Sequence, residues 1–250
     1  MAGSEQKIGR SARHIALPQV GENGQARIES ATVLLIGLGG IGCASASYLA
    51  SSGIGRLLLC DFDTVDPTNL GRQTLYSPDD IGQLKAHRAV SRLAQMNPDV
   101  RLVEIPDRLS SGALQEALGQ SDVVLDGCDN FATRFQINDA CVENSRPLVS
   151  GSAIRFEGQL AVFGPDYSKS PCYRCLYQES DESLDNCAGN GVLAPVPGVI
   201  GTLMAVEALK IAAGIPVETG KLSLYDAIAS EWRKVGIKKR QDCPVCAAGD

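Results

Sequence analysis

Val33-Leu34-Leu35-Ile36-Gly37-Leu38-Gly39-Gly40-Ile41-Gly42 is an apolar run that breaks into glycines and passes into a helical pattern through Leu49. Such a run reads as a buried strand, and the glycines as a tight turn feeding a helix N-terminus. Without side chains the backbone can approach a phosphate, and free amides with the helix dipole supply the positive potential that holds it. A nucleotide is the natural ligand of such a loop, with a merely structural glycine turn as the alternative until the context is added. A second strand, Arg56 to Cys60, ends at Asp61, about twenty residues beyond the glycines, where a carboxylate accepts hydrogen bonds from ribose hydroxyls. The two stretches form half of a Rossmann-type unit.

The same α/β rhythm continues outward from it. After Asp61-Phe62-Asp63, a Pro67-initiated turn places Asn69 and Arg72 on one short helical face, just past the carboxyl end of the second strand. A helix from Leu84 to Asn97 is stopped by Pro98, with Ala86, Val90, Leu93 and Ala94 on its apolar face. Lys85, Arg88 and Arg92 line another face, which is either solvated or, at Lys85, aimed into the nucleotide crevice. Strands at Val100 to Ile105 and Asp122 to Leu125 flank a helix from about Ser111 to Leu118 and predict a mostly parallel sheet. The second of these strands runs into Asp126-Gly127-Cys128-Asp129-Asn130. Ligands of open parallel sheets sit outside the carboxyl ends of strands, so Asp129 is placed to hold Mg²⁺ beside phosphates. An N-cap role for Asp129 or Asn130, ahead of a helix from Phe131 to Val142, competes with that reading.

The second half changes character. Pro147 to Arg155 and Glu157 to Phe163 read as strands around a break at Gly158, Val192 to Ala213 as an apolar buried helix, and Lys221 to Tyr225 and Glu231 to Ile237 as further strands. The fold expected is α/β and Rossmann-like, a mostly parallel sheet continued by antiparallel strands. No linker divides the 250 residues, so a single domain is expected, with an arm bearing a short helix over 1–30, a nucleotide-binding half over 31–150 and a second half over 151–250.

A net charge of −6 argues against nucleic acid or an anionic membrane as partner. Two charge-free stretches, Ser30 to Gly55 and Asn186 to Val206, imitate membrane spans, but their glycines, serines and prolines suit a soluble nucleotide fold. The first residues show no apolar secretion signal, so a cytoplasmic protein is expected. Nine cysteines then point to thiols or metal ligands rather than disulfides. Cys172 with Cys175 and Cys243 with Cys246 form two Cys-x-x-Cys pairs, the donor set of a tetrahedral four-cysteine zinc site that would tie the C-terminal segment to the loop near Pro171. A redox pair is the alternative, but neither pair opens a helix after a strand.

In this order Arg10 and Arg13 before Ile15, the glycine loop, Asp61 and Asp63, Asn69 to Gln73, Lys85, Asn97-Pro98, Asp129-Asn130, Ala153 to Gly158 and the two cysteine pairs resemble the MoeB/ThiF/HesA family, adenylyltransferases that activate ubiquitin-like sulfur carriers and are related to ubiquitin-activating enzymes. The resemblance covers nearly the whole chain. It implies ATP and Mg²⁺ in the crevice, structural Zn²⁺, and attack on the α-phosphate by the C-terminal glycine carboxylate of a small carrier ending in Gly-Gly. Carried over to this sequence, Gly37, Gly39, Gly40, Gly42, Asp61, Asp63 and Asn130 belong to the nucleotide site, with Gly40 on the nucleotide and Asp61 on the ribose. Asn69, Arg72 and Lys85 take the phosphates and Asp129 the magnesium. Arg13 is a finger reaching the partner subunit's ATP in a homodimer. The half from 151 to 250 docks the carrier, whose tail threads under the polar loop around 178–191. Cys187 in that loop is a candidate for covalent linkage to the activated carrier, with a persulfide protein as possible sulfur donor. Cys128 and Gly71 depart from the family's usual threonine and glutamine. The motifs are shared by the molybdopterin and thiamine branches. A nicotinamide oxidoreductase leaves Asn69, Arg72, Lys85 and Asp129 unexplained; a non-catalytic nucleotide-binding scaffold leaves the intact phosphate and metal set without a purpose.

Overall fold

The computed structural model describes residues 2–178 and 191–247, and of residues 2–8 the backbone alone. Two helices, α1 (Ala2–Ile15) and α2 (Gly21–Ser30), precede β1 (Thr32–Ile36), α3 (Gly40–Ser51) and β2 (Arg56–Cys60). A 3₁₀ turn at Pro67–Asn69 follows, then α4 (Lys85–Met96), β3 (Arg101–Ile105), α5 (Ser111–Gly119), β4 (Val123–Asp126) and α6 (Phe131–Glu143). Beyond them come β5 (Leu148–Ile154), β6 (Glu157–Phe163), the short α7 (Tyr173–Leu176), α8 (Pro195–Ala213), β7 (Lys221–Asp226) and β8 (Glu231–Gly236). The strands make one sheet in the order β3-β2-β1-β4-β5-β6-β7-β8, parallel from β3 to β5 and antiparallel from β5 to β8.

The central strands are apolar on both faces because helices cover both. In β1, Val33 and Leu35 join the layer under α2, α3, α4 and α8, while Leu34 and Ile36 join the layer under α5 and α6. Glycine lets α8 lie close on the antiparallel half. A Cβ on Gly151 would fall 2.3 Å from Met204 Sδ, and one on Gly158 would fall 2.5 Å from Ile200 Cδ1. Gly158 is therefore inside β6, paired with Ala153 and Tyr225, and the break expected there lies at Arg155, which takes φ +53° in the β5–β6 turn. α8 is apolar enough and long enough to cross a membrane, yet 44% of its most apolar window is buried inside the protein, against α3, β5 and β6.

Two other expectations change. The N-terminal arm is two helices rather than one short one, and α2 packs on α8. The inward face of α4 carries Lys85, Ala86, Ala89 and Leu93, whereas Ala94 is exposed. Asn97, a mark of the resemblance, has a structural use: its fully buried amide donates to the Ala50 carbonyl at 2.7 Å and closes the end of α3.

Candidate functional site

The carboxyl ends of β1, β2 and β4 lie side by side, with Ile36 paired to both Cys60 and Asp126, so the segments that follow them share one crevice. The glycine loop leaves β1 with Gly37 at φ +90°. A Cβ there would meet the Gly127 carbonyl at 2.8 Å, which means the turn after β4 is pressed onto the loop. Gly42 is more constrained, since a Cβ would come within 1.9 Å of Gly37 O, and one on Gly40 would lie 2.9 Å from Pro197 Cβ and 3.2 Å from Arg72 O. Gly39 is different: around it a Cβ finds only Gln73 Nε2, at 3.8 Å. As N-cap of α3 it contributes no side chain, so the first amides of that helix have no internal partner.

Asp61 holds this loop. Its carboxylate accepts from Leu38 N at 2.7 Å and from Asp63 N at 2.9 Å, one oxygen for each. Burial pushes its pKa above the usual carboxylate value, with the nearby Lys85 charge and the two amides opposing that rise. Tyr76 donates to the Leu38 carbonyl at 3.0 Å from below, so both polar groups of Leu38 are fixed. Lys85 opens α4, and its ammonium is buried inward rather than solvated. It pairs with Asp63 at 3.0 Å, and the Asp63 carboxylate is half exposed at the mouth of the crevice. Asn69 accepts from Asp66 N at 3.2 Å within a reciprocal cap of the 3₁₀ turn, and Arg72 Nη1 donates to Thr68 O at 3.0 Å. The turn thus presents Arg72 with its backbone against Gly40.

Asp129 is exposed, immediately after the turn that abuts the glycine loop. The N-cap of α6 is Asn130, which accepts from Thr133 N at 2.9 Å, and this leaves the Asp129 carboxylate clear of helix capping. A single carboxylate beside a phosphate-binding loop is a donor set that suits Mg²⁺, which keeps most of its shell for phosphates and water. Cys128, half-buried, has its thiol pushed well up, by burial first and by Asp126 next. Gly71 is exposed with open space around it, and nothing in the structure gives this departure from the family a consequence.

Not every expected residue converges here. Arg13 lies exposed on α1; the neighbouring Arg10 and Ser11 line a hollow with Gly53, Gly55, Asn97 and Val100, at the amino ends of β2 and β3. Its own crevice is at the opposite end of the sheet. Cys187 lies outside the described residues. Sequence reasoning also missed a buried pair, Asp126 with Arg134, because an acid ending a strand and a base eight residues on, inside a helix, look like ordinary solvated charges.

The second cluster is sulfur. Cys172, Cys175, Cys243 and Cys246 place their Sγ atoms within 4.8 Å of one another, with Cys172 to Cys243 at 3.6 Å and Cys175 to Cys246 at 3.4 Å. Four thiolates about 2.3 Å from a central zinc stand about 3.8 Å apart, so the cluster fits that ion. Outer partners are in place: Asn138 Nδ2 donates to Cys172 Sγ at 3.7 Å and Arg240 N to Cys175 Sγ at 3.4 Å.

Comparison with known proteins gives one answer. The ThiF family pattern matches residues 11–245. The Sulfur carrier protein ThiS adenylyltransferase of Escherichia coli is 43% identical over 241 residues, 96% of each chain. The Sulfur carrier protein adenylyltransferase of Thermus thermophilus is 41% identical over 253 residues, 98% of this chain and 93% of that one. The Adenylyltransferase and sulfurtransferase MOCS3 of Sus scrofa is 43% identical over 97% of this chain, which spans about half, 54%, of that longer protein. Among solved structures, E. coli MccB with ATP superposes with a TM-score of 0.79 at 26% identity, over 90% of this chain and 68% of MccB.

Proposed function

The chain belongs to the ThiF family, and on that premise we propose that it uses ATP to adenylylate the C-terminal glycine of a small ubiquitin-fold sulfur carrier, readying it for thiocarboxylate formation in molybdopterin or thiamine synthesis. The observation that carries this reading is the turn of Asp129 seated on the glycine loop, with Arg72 against Gly40 and the Lys85–Asp63 pair at the mouth.

In this reading the amides at Gly39 and Gly40 receive phosphate oxygens, and Gly37 and Gly42 supply the turn that permits it. Asp61 takes the ribose: each carboxylate oxygen still has a lone pair after its backbone bond. Asn69, Arg72 and Lys85 meet the phosphates, Lys85 being handed over from Asp63. Asp129, with Asn130 beside it, would hold Mg²⁺, which supplies neutralising charge at the phosphoryl oxygens. The carrier's terminal carboxylate is already ionised at neutral pH and needs no base. It attacks the α-phosphorus; an acyl–phosphate bond forms as the bond to the bridging oxygen breaks and pyrophosphate leaves. The charge gathering on the departing oxygens is what Arg72 and Lys85 are placed to stabilise.

The protein acts in the cytoplasm as a homodimer, Arg13 of each subunit serving the other's crevice, with structural zinc on Cys172, Cys175, Cys243 and Cys246. The carrier docks on the half from 151 to 250, and the Cys187 thiol attacks the acyl carbon of the adenylate, forming a thioester as the bond to AMP breaks and AMP leaves, with a persulfide protein as the sulfur donor. Carrier-dependent ATP–pyrophosphate exchange is the test. Arg72→Ala and Asp129→Ala should each lower exchange about 10²-fold or more with folding intact, while Cys187→Ala leaves exchange unchanged and blocks thiocarboxylate formation. Running the assay with a ThiS-like and a MoaD-like carrier identifies the pathway. NADH binding in place of ATP, or exchange indifferent to both substitutions, would sink the reading.

A further inference from the structure

Asp126 ends β4 and is 1% exposed; Arg134, in the first turn of α6, is 5% exposed. Arg134 Nη1 lies 3.3 Å from Asp126 Oδ2 and donates to Ser150 Oγ at 3.2 Å, while the Ser150 hydroxyl donates to the same Oδ2 at 2.9 Å. A buried pair of this kind gains little stability over apolar residues of the same volume, because desolvation consumes the attraction. Two of its hydrogen bonds go instead into the turn after β4, and the others go to Ser150 and Gly151 of β5. Asp126 Oδ1 accepts from Cys128 N at 3.0 Å, and Arg134 Nη2 donates to the Cys128 carbonyl and, at 2.9 Å, to the Gly151 carbonyl. Both backbone groups of the residue before Asp129 are therefore gripped from inside. The residue after it, Asn130, is fixed as the cap of α6, and Gly127 is pressed against Gly37. The backbone on either side of Asp129 is held while its own carboxylate stays free of the cap.

We infer that Arg134, with Asp126 and Ser150, is a positioning group for Asp129: the buried fork sets the backbone of the turn and so the place where the Asp129 carboxylate meets a divalent cation beside the ATP phosphates. This rests on the function proposed above. A staple that merely joins α6 to β4 and β5 would change stability when cut and leave metal affinity alone.

Mn²⁺ binding to enzyme with ATP, followed by electron paramagnetic resonance, separates the two, alongside ATP binding measured in EDTA. Arg134→Lys keeps the charge but loses the fork, and Ser150→Ala removes one hydroxyl. Half-saturating Mn²⁺ should rise about 10-fold in Arg134→Lys and about threefold in Ser150→Ala, on the scale of outer-shell substitutions at metal sites. ATP affinity in EDTA should stay within about twofold of wild type, since no direct phosphate contact is lost. Adding either change to Asp129→Ala should weaken Mn²⁺ no further, because the fork acts through that carboxylate. Folded variants with unchanged Mn²⁺ affinity, ATP weakened equally with and without metal, or effects that add to Asp129→Ala would each overturn the inference. If Arg134→Lys does not fold, Ser150→Ala decides on the same criteria. Wild-type protein that binds no Mn²⁺–ATP overturns the nucleotide reading and this inference together; wild type that binds it normally while the variants match it overturns this inference alone.

Discussion

Gly39 and Gly42 belong to one motif and are needed for opposite reasons. A methyl group at Gly42 would occupy the space of Gly37 O, 1.9 Å away, so loop and helix cannot both keep their places. Gly42→Ala should cost about 3 kcal/mol or more in chemical denaturation, in the range of overpacked or strained core substitutions. A methyl at Gly39 meets only Gln73 Nε2 at 3.8 Å, and the backbone there, at φ −73°, accepts alanine. Gly39→Ala should keep the wild-type melting temperature and lose ATP affinity, by about 10-fold, a cost of about 1.4 kcal/mol. A destabilised but ATP-competent Gly39→Ala would mean that this side of the loop is structural after all. Spacing alone finds all four glycines but cannot sort them, because the contacts that distinguish them come from Gly37, Arg72, Gly127 and Pro197, brought there by the fold. The same limit applies to Asp61, whose distance from the loop suggests the ribose while its two amide bonds, to Leu38 and Asp63, are visible only in three dimensions. Arg134 was illegible for a further reason: a helical arginine is recognisable as buried only once β5 supplies Ser150 and Gly151.

Element boundaries were largely legible, since the central strands are unbroken apolar runs closed by polar turns: β2 falls on Arg56–Cys60 as read. The misreadings came where tertiary packing redefined a residue. Gly158 looked like punctuation, but a strand glycine also marks the close approach of another element, here Ile200 of α8. Ala94 fits the helical period, yet α4 turns Ala89 inward instead. The cysteine spacing was readable as a metal site; what it holds was not. α7 starts just after Cys172, contains Cys175 and is clamped to α6: Asn138 accepts from Tyr173 N at 2.7 Å, Arg174 pairs with Asp139 at 2.7 Å, and the Phe135 and Tyr173 rings meet edge to face at 5.8 Å. Zinc should therefore stabilise α6 as well as the C-terminal segment. Purified protein should carry about one zinc per chain, and Cys243→Ser should lower the melting temperature by about 5 °C or more, equivalent to about 2 kcal/mol. Full thermal stability in metal-free protein would contradict a structural ion.

At the scale of the whole molecule, the passage from a parallel to an antiparallel sheet follows from the sequence rhythm, but the apolar character of α8 is only partly used within one chain. α8 packs on α3, β5 and β6, while Val206 remains 44% exposed on α8 and Tyr48 54% exposed on α3. Arg13 stands exposed on α1, whose Arg10 and Ser11 sit by the amino ends of the strands, away from its own glycine loop. If it serves ATP chemistry it does so in another copy, a division of labour that sequence order cannot express. Sedimentation should find a dimer, and a mixing experiment tests the exchange of residues directly. Arg13→Ala and Asp129→Ala proteins should each be nearly inactive in pyrophosphate exchange. After subunit exchange, each mixed dimer contains one crevice with both defects and one with neither, so the mixture should recover about a quarter of wild-type activity, as two-fold symmetry requires. Were Arg13 to act within its own chain, every crevice in the mixture would carry one defect and no activity would return.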